Sequence, residues 1–156
     1  MELTIEQALQ QGVAAHKEGR LQEAERLYRS ILQTQPKHPD ANHNLGVLAI
    51  SVNKSEAALP LFKTAVEVNP KIEQFWLSYI DALIKEKQFE DAKRALKKVK
   101  KSGLAKNQLN ALTQQLTTAI KNPAPHQSEL KSLLEHYQNG RYEDAEKLAL
   151  ILTNKF

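Results

Sequence analysis

Cysteine is absent from the 156 residues, which excludes disulfide frameworks, thiolate zinc sites, iron-sulfur ligation and cysteine nucleophiles. Aromatic residues make up only 6% of the chain, with 5 glycines and 6 prolines. An all-β chain needs more bulky strand residues and more tight turns, so helix is the expected element. Long apolar runs are missing too. The longest, Leu148 to Leu152, falls far short of the roughly 20 residues of a membrane span, and the opening MELTIEQALQ has no basic patch followed by an apolar core. No membrane contact is expected, and the cytoplasm is the default compartment. Catalytic constellations are equally scarce. His16, His38, His43, His126 and His136 include no pair three or four residues apart, the spacing that places two metal ligands on one helical face. Glycine stands isolated at 12, 19, 46, 103 and 140, so no phosphate-cradling loop or GxSxG turn is formed. The expectation is a chain that is not an enzyme and holds no cofactor or metal, with its histidines as surface or groove polar groups.

What is present is a composition for one packed domain, 41% hydrophobic and 26% charged, and an internal period. Gly12 recurs as Gly46, Ala24 as Ala58, Tyr28 as Phe62 and Pro36 as Pro70, each about 34 residues on. The same step carries Ala58 to Ala92 and Phe62 to Leu96, and NGRYEDAEKLALILTNKF repeats the style of EGRLQEAERLYRSILQTQ with Ala145 aligned to Ala24. Together with Trp76 at the fourth position of a third unit, these landmarks resemble the tetratricopeptide repeat family. The resemblance implies an all-α, right-handed superhelical solenoid of antiparallel helix pairs, with about nine helices in one domain spanning 1–156. Its units lie at about 5–38, 39–72 and 73–106, and a partial unit at 126–156. The interval from Ala92 to Ala145 exceeds one period by the length of a helix and turn. Residues 107–121 supply an inserted helix, with Leu109, Leu112, Leu116 and Ile120 on one apolar stripe and Asn107, Gln108 and Asn110 on the wet side. The segment from Asn122 to His126, with Pro123 and Pro125, breaks that helix.

Local signals give the helix ends. Thr4 and Gln7 form a capping-box pattern. Gly19 and Gly140 suit the left-handed conformation that closes a helix, Asn53 tolerates it, and Lys87 is the departure at the same place in unit three. Pro36 and Pro70 stop the second helices, Pro39 opens the next helix, Ser55 is the expected N-cap of its helix, and Pro60 is expected to bend that helix. Small residues at 24, 58, 92 and 145 occupy the close crossing of the two helices in this family. Ala58→Leu should therefore cost about 1 to 3 kcal/mol through overpacking, seen as a lowered thermal melt. Gly103–Leu104 in place of the proline, and Ile80 and Leu133 in place of the glycine, predict altered packing around the inserted helix.

In this family the first helix of each pair lines an inner groove. Carried over by position, the groove residues are Glu6, Leu9, Val13, His16 and Lys17 in unit one, and Asp40, His43, Asn44, Val47 and Ile50 in unit two. Unit three adds Gln74, Leu77, Ser78, Asp81, Ile84 and Lys85. The mixture of apolar and polar groups suits an extended peptide or a partner helix, making the chain a protein-binding scaffold. Family members that clamp a chaperone's terminal carboxylates carry lysine, arginine and asparagine where this chain has Leu9, Val13, Asn44, Gln74 and Ser78. Only Asn44 agrees, so that role is disfavoured. Asn44 also resembles the inner asparagines of O-linked N-acetylglucosamine transferases, although Gln10, Ser78 and Lys131 stand at the other sites. The segments NHNLGVLA and FWLSYIDALI look like the leading, recruiting module of larger bacterial glycosyltransferase- or sulfotransferase-linked proteins.

Two further readings stand beside this one. Lys93, Arg94, Lys97, Lys98, Lys100 and Lys101 crowd one helix and could engage phosphates, yet that helix faces outward in the family and few aromatics accompany it, so nucleic acid is the less favoured partner. The last helix carries Leu148, Ile151, Leu152 and Phe156 with nothing following to cover them, which points to self-association through this end or to a longer protein.

Overall fold

The computed structural model describes residues 3–104, 106–121 and 127–155. Among them are helices α1 (Ile5–Lys17), α2 (Leu21–Thr34), α3 (Pro39–Ser51), α4 (Ser55–Val68), α5 (Glu73–Lys85), α6 (Phe89–Ser102), α7 (Lys106–Lys121), α8 (Gln127–Gln138) and α9 (Tyr142–Lys155), and no strand. The all-α solenoid that the resemblance implies is the fold observed. The helix break expected at 122–126, with His126, and the apolar end at Phe156 lie outside the described residues.

One turn is built four times. Gly19, Asn53, Lys87 and Gly140 all have φ between 56° and 77°, left-handed backbone that closes the first helix of each pair. In each turn the following amide reaches back to a helical carbonyl five residues earlier: Arg20 to Ala15, Lys54 to Ala49 and Gln88 to Leu83 at 2.8 Å, and Arg141 to His136 at 2.9 Å. Glycine takes this conformation at no steric cost, whereas Lys87 adopts it because the packed hairpin on either side fixes the backbone.

The longer turns between pairs repeat as well. Gln35 and Asn69, each preceding a proline, have nearly the same dihedrals, φ −130° and ψ 80° against φ −129° and ψ 78°. The proline ring forces this extended shape on its predecessor and ends the helix. Unit three lacks the proline, and its second helix closes instead on Gly103 at φ 73°. At the start of α1, Thr4 and Gln7 exchange both bonds of the capping box, and Pro39 opens α3. Ser55 corrects an expectation: it is the first residue of α4, not its cap, and is buried. Pro60 lies within α4, which runs unbroken through it. Both Pro60 and Glu56, whose carbonyl loses its amide partner there, are exposed, so water can satisfy that carbonyl.

Side chains alternate in size across the helix crossings. Ala24, Ala58 and Ala92 are fully buried, and Ala145 is 6% exposed. Gly12 and Gly46 face the rings of Tyr28 and Phe62 so closely that a Cβ would sit 2.6 Å and 2.7 Å from a ring carbon. The Tyr28 hydroxyl is buried without a hydrogen-bond partner among the described residues, and burial pushes its pKa up to about 12. Phe62 fills the equivalent place with no hydroxyl. Tyr28→Phe is therefore expected to leave stability unchanged or raise it by about 1 kcal/mol, measured by urea unfolding.

Each pair packs on the next: α2 on α3, α4 on α5, and α6 on α7, while α3 touches both α1 and α5. Helix α7 begins one period after α5 and packs on α5 and α6, so the expected insert takes its place in the stack as a further inner helix. Leu109, Leu112 and Leu116 bury its apolar stripe, but Ile120, expected on the same stripe, is 42% exposed. It lines an open cleft between α6 and α7 instead of packing into the core. Helices α8 and α9 pack on each other and on no other described element.

Candidate functional site

Helices α1, α3 and α5 lie side by side because each is the first of its pair and the second helices fill the other layer. This arrangement turns equivalent faces of the three helices into one surface. Leu9, Val13, Val47, Ile50 and Leu77 are partly exposed on it while packing against the core clusters beneath. Glu6, Lys17, Asp40, Gln74 and Lys85 are exposed, and His16, Asn44, Ser78 and Asp81 are half-buried. On α1, Leu9, Val13 and Lys17 line an open depression of about 450 Å³ together with Gln10, Ala14 and Glu18. Two of the sixteen positions face inward: Ile84 is 5% exposed and belongs to the core, and His43 is 8% exposed.

A polar row ties the stacked helices together. His43 Nε2 lies 3.0 Å from Ser78 Oγ, which also accepts a hydrogen bond from Gln74 Nε2 at 3.4 Å. Asp81 accepts from Gln115 Nε2 at 3.0 Å and pairs with Lys85 Nζ at 2.7 Å. The row runs from α3 across α5 to α7 and holds their register with groups that, the buried His43 apart, stay partly open to solvent. Gln115 was not among the expected residues, though its position one period after Asp81 marks it.

His43 is more than a surface polar group. Its ring is 4.8 Å from that of Phe75 and 5.6 Å from that of Phe62, so it joins units two and three. Desolvation lowers its pKa below the ordinary 6.5, opposed by a hydrogen bond to Asn44 and by the Asp40 carboxylate. The unfolded chain binds this proton near pH 6.5 while the folded chain resists it. Stability is therefore full above pH 6.5 and is lost as pH falls from there toward the lower folded-state value. Urea midpoints measured between pH 7.5 and 5 (~2.5 units of pH, spanning the ordinary histidine range) should fall in the native chain and fall less in His43→Gln.

The basic helix of the sequence is α6. Lys93 pairs with Glu90 at 2.7 Å and Arg94 with Asp91 at 3.2 Å, and Lys98 Nζ sits 5.2 Å from the centre of the Trp76 ring. Among the described residues no helix is long and apolar enough to cross a membrane.

A family model described as tetratricopeptide repeat matches residues 15–71 and 49–116. Among solved structures, the tetratricopeptide domain of P58(IPK) is similar with a TM-score of 0.65 at 20% identity, covering 96% of this chain and 41% of that one. This chain thus spans about two fifths of that relative's length. The Sgt2 tetratricopeptide domain from Aspergillus fumigatus gives a TM-score of 0.63 at 20% identity over 78% of this chain and 84% of that one. MamA from Desulfovibrio magneticus RS-1 gives 0.54 at 16% identity over 97% and 75%. These likenesses are of fold. No curated protein is matched by the sequence.

Proposed function

The chain belongs to the tetratricopeptide repeat family, and from that premise we propose that it is a non-enzymatic scaffold whose α1–α3–α5 face binds an extended peptide or a partner helix. One observation carries the reading: partly exposed apolar side chains, Leu9, Val13, Val47, Ile50 and Leu77, recur on three adjoining helices, interleaved with Asn44, Ser78 and Asp81. Apolar anchors supply affinity when covered, and the polar groups between them fix the register of the bound chain. The His43–Ser78 and Asp81–Gln115 contacts tie α3 to α5 and α5 to α7, and a preorganised face lowers the entropy cost of binding. Recruitment for a larger transferase would use this same face, and Asn44 is the residue that supports it.

Selection from a displayed random-peptide library tests the proposal. Peptides enriched on the native chain should lose binding to a variant carrying Val47→Asp and Asn44→Ala, and should keep it on Lys63→Ala, an exposed position of α4. Peptides unaffected by the first variant would remove the groove as the binding face.

A further inference from the structure

Two apolar surfaces lie uncovered at the far end of the described chain. One is a cleft of about 550 Å³ between α6 and α7. Leu96, Leu116 and Ile120 line it, with Ile120 42% exposed and the two leucines 5% each beneath it; Lys97, Lys100 and Lys101 line it as well, and among the described residues no acidic group does. The position is where a continuing solenoid would seat its next helix. The other is the α8–α9 hairpin, which touches no other described element. Its open cleft of about 760 Å³ is lined by Leu130, Leu134, Tyr137 and Tyr142, which are 50% to 63% exposed, and by Glu146. Tyr137 and Tyr142 stack edge to face at its mouth, their rings 5.4 Å apart. Glu143 and Asp144 occupy the first turn of α9, one turn from Glu146. Of the last helix, Leu152 is buried, contrary to the expectation that it is uncovered, whereas Leu150 and Ile151 are 62% and 60% exposed.

We propose that these two surfaces are partners: the α8–α9 hairpin of a second copy of this chain docks on the α6–α7 cleft. A lone helix pair cannot bury its own apolar faces, so the hairpin requires a neighbour. The first cleft presents Ile120 beside Lys97, Lys100 and Lys101, and the hairpin's cleft presents two tyrosine rings with Glu146 as the charged residue among its described lining, so the two linings are both apolar and opposite in charge. Each copy carries one cleft and one hairpin. Reciprocal exchange therefore satisfies both at once and closes a two-fold dimer, with each hairpin continuing the stack of the other chain.

Sedimentation equilibrium of the full chain tests the arrangement. The native chain should dimerise, with an affinity that weakens as salt rises. Lys97→Glu with Lys101→Glu, and separately Glu143→Lys with Glu146→Lys, should each raise the dimer dissociation constant at least about tenfold, because like charges then meet across the interface. Combining all four substitutions in one chain should restore the native value. All four positions are exposed, and unchanged circular dichroism confirms that the variants fold. A strict monomer overturns the proposal. A dimer indifferent to the lysine reversals but broken by Leu134→Asp shows the hairpins binding each other instead, and also overturns it. So does a dimer that persists while the reversals abolish only the binding of a single-stranded oligonucleotide, which would assign the lysines to nucleic acid.

Discussion

Gly46→Ile is expected to destabilise the chain by about 3 kcal/mol, and adding Phe62→Leu is expected to recover much of that loss. A Cβ at residue 46 would lie 2.7, 2.9 and 3.0 Å from three carbons of the Phe62 ring. That ring is 1% exposed and has His43 beside it, so it has nowhere to retreat. Helix propensity acts in the opposite direction, since removing a mid-helix glycine gains roughly 0.5 to 1 kcal/mol; the net loss therefore measures the clash. Unit three shows the alternative solution. One period after Gly46 and Phe62 stand Ile80 and Leu96, 0% and 5% exposed, in the same core cluster. The crossing holds a fixed volume, divided as small plus aromatic in the first two units and as two aliphatic groups in the third. Phe62→Leu alone should also cost stability, through the cavity it leaves. A double-mutant cycle by urea unfolding should then give a coupling of about 1 to 2 kcal/mol in favour of the pair. Additive losses would mean that the two residues do not share one space.

The repeat was legible because its signals are local. Proline, the left-handed turn residue and the small residue at the crossing each act within one or two turns of chain, and Gly19, Asn53 and Gly140 behave as their chemistry dictates. Lys87 was harder to place, since nothing about lysine favours a φ of 56° and only the surrounding hairpin imposes it. The candidate face was named in outline through the resemblance, which implies by position which residues of α1, α3 and α5 line an inner surface. It does not identify what the next unit brings. His43 reads as a groove residue from its position, but Phe75 and Ser78, from the following unit, decide that it is covered. Ser55 likewise has an N-cap's chemistry, yet the turn through Asn53 starts α4 one residue earlier than a serine cap requires. The isolation of α8 and α9 was hidden for the same reason: their sequence states what must be buried, not against what.

Trp76→Ala should be the most damaging single change, about 3 to 5 kcal/mol, and should alter the form of unfolding as well as its midpoint. The indole is 5% exposed and sits in the cluster that runs from α3 to α7. Its Nε1 donates to the Pro70 carbonyl at 2.8 Å. One period earlier Asn42 occupies the same place and donates through Nδ2 to the Pro36 carbonyl at 3.0 Å and to the His38 carbonyl at 2.9 Å. Two unlike side chains thus perform one task, tethering the first turn of an inner helix to the turn that precedes it. Trp76→Phe keeps most of the buried ring and loses only the tether, so it should cost about 1 kcal/mol. Truncation to alanine does more, because it empties the boundary between units two and three. In a stack whose stability is a sum of unit terms and nearest-neighbour terms, weakening one boundary uncouples the two sides. The alanine variant should therefore unfold in a broader transition, with a lower denaturant dependence and different midpoints by circular dichroism and by the fluorescence of the four tyrosines. Coincident midpoints with an unreduced slope would place the coupling elsewhere, in the contact of His43 with Ser78 and Phe75.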